Sequence, residues 1–245
     1  MPRQRLTTGS GQLGRVRDGW HGRIRALQDR IRDPSLTVLL LLYLAAIFVA
    51  LPLAAEGVPV ARRLLDGTVL VVLAVVVLLS ERPGAVCAML LALGIMATGL
   101  VLGGRLTSTT EIVIRRSGNI IAFSALIWVV GHAVYAPGRI TYRRLQGAVV
   151  VYLSFAAIFA SAYTLIWVLK PGAFAHLDIA TPGDSEAAAM LYFSLTTLTT
   201  TGYGEIIAVD PLARSLANLE SVIGVFYVAI TVARLVTLEL EDRRR

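Results

Sequence analysis

Cysteine is almost missing from this chain: Cys87 is the single thiol among 245 residues. No internal disulfide can close, and no thiolate cluster exists to hold a metal or redox centre. Charge is scarce as well, at 16% of residues, and histidine occurs three times. No nucleophile, base and acid stand at a recognisable spacing, so an enzyme is not expected, and no cofactor is called for. What fills the space is apolar. Hydrophobic residues make up 56% of the sequence and the mean hydropathy is +0.71, the composition of a polytopic membrane protein. The net charge of +7 is therefore read through loop placement and does not point to nucleic acid.

Residues 1 to 35 form a basic arm, in which Arg3, Arg5, Arg15, Arg17, Arg23, Arg25, Arg30 and Arg32 face Asp18, Asp29 and Asp33. Trp20, Ile24, Leu27 and Ile31 recur at helical spacings, which predicts an amphipathic helix ending before Pro34. Such a helix suits an anionic lipid surface, at about 1 kcal/mol per basic residue; a loosely ordered tail obeying the positive-inside rule accounts for the arginines equally well. Six apolar runs follow, near residues 36–55, 64–80, 84–104, 117–136, 147–169 and 212–238. Each approaches the roughly 20 residues a bilayer needs, the second being short. With the arm inside, six crossings return the C-terminus to the cytoplasm. Arg139, Arg143, Arg144 and Arg243-Arg244-Arg245 then also lie inside, whereas Arg115 and Arg116 fall outside.

Between the fifth and sixth runs the sequence changes character. Lys170 to Gly183 carries Pro171, Gly172, Pro182 and Gly183 and reads as an external loop. Asp184 or Ser185 is placed to cap a short helix, with Glu186 favourable in its first turn. The apolar run Met190 to Leu198 is too short to cross a bilayer, and it leads into Thr199-Thr200-Thr201-Gly202-Tyr203-Gly204-Glu205. Gly202 and Gly204 reach positive φ at little cost, which lets the chain alternate its twist.

This loop, set between two spans, resembles the selectivity filter of potassium channels, the Thr-x-Gly-Tyr-Gly motif whose carbonyls replace the water around a potassium ion. The resemblance covers about residues 147 to 238 and continues into Leu219-Glu220-Ser221-Val222-Ile223-Gly224 and Val232-Ala233-Arg234-Leu235-Val236. It implies an all-α membrane protein with six transmembrane helices, a re-entrant pore helix and filter loop between the fifth and sixth, and C4 assembly as a homotetramer. Residues 1–35 would then be the arm, 36–136 a four-helix module and 137–245 the pore domain. The family pattern places K+ at Thr200, Thr201, Gly202 and Tyr203, with Gly204 completing the loop and Glu205 at the outer mouth. Tyr203 would turn away from the ions, with Tyr192 and Phe193 in an aromatic cuff around it. Gly224 matches the gating hinge, although a glycine in a membrane helix is often a close packing contact. Val225, Val228 and Val232 would line the pore.

Several residues depart from the pattern. Thr201 stands where valine is usual, so its hydroxyl needs a partner. Glu205 replaces aspartate, and Thr196 occupies the place of a glutamate that braces the acidic residue in some relatives. The fourth run, Asn119 to Tyr135, has no arginine or lysine, so the regular charges of a voltage sensor are missing. His132 within it is expected to hydrogen-bond between helices. Glu220, at membrane depth, is a gating candidate or a structural partner of the pore-helix threonines. The function implied is passive K+ conduction across a bacterial inner membrane, without strong voltage dependence. The alternatives are a weakly selective cation channel and a non-conducting subunit that keeps the pore fold.

Overall fold

A computed structural model describes residues 37–58, 60–61, 68, 87, 94, 108–136, 141–177 and 184–243. The basic arm and, apart from residues 68, 87 and 94, the second and third expected spans lie outside these residues. Among the described residues four helices are long and apolar enough to cross a membrane, at Thr37–Ala55, Thr109–Tyr135, Arg144–Leu169 and Pro211–Thr237.

Helix α1, Thr37–Ala55, widens to a π turn over Ala46–Ala50, where the Leu51 amide reaches back to the Ala46 carbonyl. Pro52 explains it. Proline has no N–H to give and its ring crowds the carbonyl four residues back, so a wider turn relieves the clash. Helix α2 is Ser108–Tyr135 and α3 is Tyr142–Leu169. The α2 helix begins nine residues before the expected span, so Arg115 and Arg116 lie inside it and not at its mouth. Leu126, Val130 and Val134 of α2 pack on Ala148, Val150 and Val151 of α3. Gly147 permits the close approach, since a Cβ there would stand 2.7 Å from Val134 Cγ2. Small residues at a helix contact are the expected device where lipid supplies no hydrophobic drive between helices.

After α3 comes a two-residue strand β1, Phe174–Ala175, then helix α4, Asp184–Leu198, strand β2, Ile207–Ala208, and helix α5, Pro211–Arg243. The strands pair antiparallel, Phe174 with Ala208 and Ala175 with Ile207. They tie the chain before α4 to the chain after its loop. With 15 residues, α4 is only about 22 Å long, short of a roughly 30 Å hydrocarbon core. It is held on α3 by an aromatic cluster. Phe193 meets Tyr163 edge-on at 4.9 Å and Phe174 at 5.5 Å between ring centroids. Each such pair adds about 0.5–1.5 kcal/mol beyond burial. Helix α5 buries a narrow stripe, Ala213, Glu220, Gly224 and Thr231, and leaves most of its large apolar side chains exposed on the single chain.

Candidate functional site

The loop of interest is launched by the way α4 ends. The Thr201 amide donates to the Thr196 carbonyl at 2.8 Å and the Thr200 amide to the Thr197 carbonyl at 2.9 Å. That paired pattern closes a helix when the residue between is left-handed, and Thr200 has φ 58°. A β-branched residue there costs about 1 kcal/mol or more, and the sequence had pointed only to the glycines. Those follow as expected, Gly202 at φ 55° and Gly204 at φ 81°, with Thr201 and Tyr203 on the ordinary negative side. The sign of φ thus alternates along Thr200 to Gly204. Among the described residues no donor reaches the carbonyls of Thr200, Thr201, Gly202 or Tyr203, and all four residues are exposed on the single chain. A row of free carbonyls on a twisting strand is a set of neutral oxygen ligands for a dehydrated cation.

The side chains brace this strand from one flank. The Tyr203 ring lies parallel to Tyr192, 6.4 Å between centroids and 5° between planes, and the Tyr192 hydroxyl donates to Glu205 Oε2 at 2.8 Å. So a brace for the acidic residue exists, supplied by Tyr192; the Thr196 hydroxyl turns back to the Phe193 carbonyl at 3.0 Å. The Phe193 ring packs instead on Tyr163 and Phe174. The Thr201 hydroxyl has its partner in Thr199 Oγ1 at 2.8 Å, which itself donates to the Leu195 carbonyl at 2.7 Å.

Beneath the loop, α5 and α3 close over the end of α4. The Ser221 hydroxyl donates to the Thr197 carbonyl and the Tyr152 hydroxyl to the Leu198 carbonyl, both at 3.2 Å. Gly224 is pressed on the same place. A Cβ there would run into the Leu198 carbonyl oxygen and stand 3.0 Å from its carbon. One turn earlier, Glu220 is fully buried. It accepts from the Tyr163 hydroxyl and from the Ser194 hydroxyl, each at 2.5 Å, so serine and tyrosine are its partners and not the threonines expected. Glu220 and Gly224 share the buried stripe, while Val225, Val228 and Val232 lie on the exposed side of α5. His132 bonds within its own helix, Nδ1 to the Trp128 carbonyl at 2.9 Å, instead of between helices.

Two polar arrangements, at the start of α4 and at the start of α5, escaped the sequence reading. Glu186 is not merely favourable in the first turn of α4. It is fully buried, and Arg116 of α2 reaches both its oxygens at 3.1 Å while Thr164 of α3 also donates to it. Ser185 does not cap α4; its hydroxyl donates to the Ala55 carbonyl at the end of α1. The second arrangement is Asp210, which caps α5 by accepting from the Leu212 and Ala213 amides and pairs with Lys170 at 3.1 Å. The Lys170 hydrogen bond, with help from those amides, holds the Asp210 carboxyl below its ordinary value. The Asp210-Pro211 step was a legible signal, since a short polar cap followed by proline begins many helices.

Residues 147–240 match a family model described as "Ion channel". This stretch is similar to that family. The match begins near the start of α3 and runs into the end of α5, so the channel domain contains α4, its loop and both flanking helices. No curated protein and no solved structure matches the chain. Helices long and apolar enough to cross a membrane, two of them within the matched stretch, make this a membrane protein with a stretch similar to ion channels.

Proposed function

We propose that the chain is a potassium-selective channel that conducts K+ passively across the inner membrane of a bacterium, assembled as a homotetramer around the Thr200–Gly204 strand. The observation that carries this reading is the alternating φ of Thr200, Thr201, Gly202, Tyr203 and Gly204, combined with four carbonyls that no described residue engages. Supporting it, Tyr203 is 70% exposed on one chain and braced on one flank only, as a wall shared with further copies requires. One strand supplies too few oxygens to replace a hydration shell, and four related by C4 symmetry complete it. Glu205 would concentrate cations at the outer mouth, and Val225, Val228 and Val232 would line the cavity. Gly224 as hinge would require the contact with Leu198 to part when the pore opens.

The six-span topology with both termini cytoplasmic, and anionic lipid beneath the arginine arm, belong to this proposal. So does weak voltage dependence, because α2 between Asn119 and Tyr135 carries no arginine or lysine. The test is flux from purified protein in liposomes loaded with potassium. K+ should pass, Na+ should not replace it, and Ba2+ should block, having nearly the size of K+ with twice the charge. Gly202→Ala should abolish selective flux: no atom stands within 4 Å of the added Cβ, so the backbone strain acts alone. Thr201→Val should be tolerated. Sodium passing as readily as potassium would establish a weakly selective cation channel, and intact oligomers that pass neither ion would establish a non-conducting subunit.

A further inference from the structure

We propose that Arg116 is a positioning residue for the filter, acting through Glu186 on the first turn of α4, so that the spans before the channel domain hold the geometry of the conducting loop. The inference rests on reading Thr200–Gly204 as a selectivity filter. Its starting point is a charge that α4 cannot keep alone. Glu186 is fully buried and Arg116 is 11% exposed. A carboxylate taken out of water loses its hydration, which a well-placed guanidinium and a hydroxyl donor offset. The Arg116 guanidinium reaches both carboxylate oxygens and Thr164 adds its donor, so one buried group joins α2, α3 and α4.

Arg116 lies outside the matched channel residues, which makes the dependence a property of this longer chain. Other contacts seat α4 on the same preceding helices. Ser185 bonds to the end of α1, and Leu191 and Leu195 pack against a cluster of Tyr43 and Ile47 of α1 with Leu153 of α3. At its far end α2 reaches α5, where the Tyr135 hydroxyl meets Thr231 Oγ1 at 2.6 Å. A single helix outside the channel domain therefore bears on both the filter helix and the inner helix. Because α4 is one rigid rod, a shift of its first turn is delivered to the loop carbonyls at its other end.

The experiment compares the parent with Arg116→Gln, Arg116→Lys and the pair Arg116→Gln with Glu186→Gln, in liposomes, reading the ratio of K+ to Na+ flux per assembled channel. Arg116→Gln strands the carboxylate and should lower that ratio roughly tenfold or more, the scale on which small displacements of a working group are felt. Arg116→Lys keeps the charge and should lose less. The double variant removes both charges, leaves two amides that can bond to each other, and should return most of the ratio. An unchanged ratio in assembled Arg116→Gln overturns the proposal, as does loss of assembled protein with a normal ratio in what remains. A double variant no better than the single also overturns it. A parent without selective flux sinks the filter reading itself; a selective parent with an indifferent Arg116→Gln sinks this inference alone.

Discussion

Glu220→Ala should destabilise the assembled protein by about 3–4 kcal/mol per chain, whereas Glu220→Gln should cost about 1 kcal/mol or less. The difference follows from what each hydroxyl around Glu220 can do next. Ser194 lies 2.9 Å from the Ala156 carbonyl and can keep that acceptor, so alanine at 220 costs it little. Tyr163 donates to Glu220 Oε2 from a fully buried position, and leaving that hydroxyl without an acceptor costs about 1–3 kcal/mol. Truncation also removes four heavy atoms from a sealed site, a void on the order of 60 Å³ and thus roughly 1.5 kcal/mol. Glutamine fills the same volume, accepts from Tyr163 and donates to Ser194, whose own proton then goes to Ala156. Thermal unfolding of the oligomer in detergent, followed by circular dichroism, ranks the variants, with Tyr163→Phe as the control that removes the donor. A double-mutant cycle should give a coupling of roughly 1–3 kcal/mol between positions 163 and 220. If alanine proves as mild as glutamine, the buried carboxyl does not organise its neighbours and the reasoning fails. If glutamine is as damaging as alanine, the negative charge and not the hydrogen-bond geometry is what the site uses.

Gly224→Ala places a Cβ 3.0 Å from the Leu198 carbonyl carbon and 3.1 Å from its Cδ1, against an ordinary 3.5–4.0 Å. Helix α5 must step back from α4, costing roughly 1–3 kcal/mol per chain and most of the flux; unaltered stability and flux would show that the contact is not tight. Tyr192→Phe frees Glu205 while leaving the ring stack on Tyr203 possible, so folding should be unchanged and current should decay faster under sustained conduction. Identical time courses in planar bilayers would count against the brace. Asp210 has its carboxyl held below the ordinary value, so the folded state is stabilised above that value and loses the contribution as pH falls through the lowered one. Amide exchange at Leu212 and Ala213 should accelerate in that acid range in the parent and be fast at every pH in Asp210→Ala; matching profiles would refute the cap.

The parts of the channel domain that the sequence made legible are those set by local chemistry. A run too short to span, two glycines spaced for left-handed backbone and apolar stretches of bilayer length depend on neighbouring residues alone. They placed α4 and its loop, and α1, α3 and α5 to within a few residues. The rest depends on which helix a side chain faces. Tyr192 and Phe193 are adjacent on α4, so they point about 100° apart, and only the packing decides that one stacks on Tyr203 and the other on Tyr163. Arg116 read as a topology signal because its partner lies 70 residues away. Ser194 as the partner of Glu220 was beyond reach for the same reason, at a separation of 26 residues.

Those long-range contacts share one target, and the strain of the loop after α4 explains why. Thr200 sits in a region that a β-branched residue rarely adopts, and such strain persists only where the surroundings over-determine it. Helix α4 is too short to be fixed by spanning the bilayer, and apolar packing discriminates weakly among helix positions in lipid. Polar contacts complete the hold that the aromatic cluster on α3 begins. Arg116 and the Ala55 carbonyl hold the first turn, Glu220 holds the middle through Ser194, and Tyr152, Ser221 and Gly224 meet at the last turn. Four of these residues lie on α3 or α5 inside the matched stretch, while the two first-turn contacts come from α1 and α2 before it. A short helix that must carry a strained loop needs both ends held. In this chain the hold on the first turn is supplied by helices that precede the matched stretch.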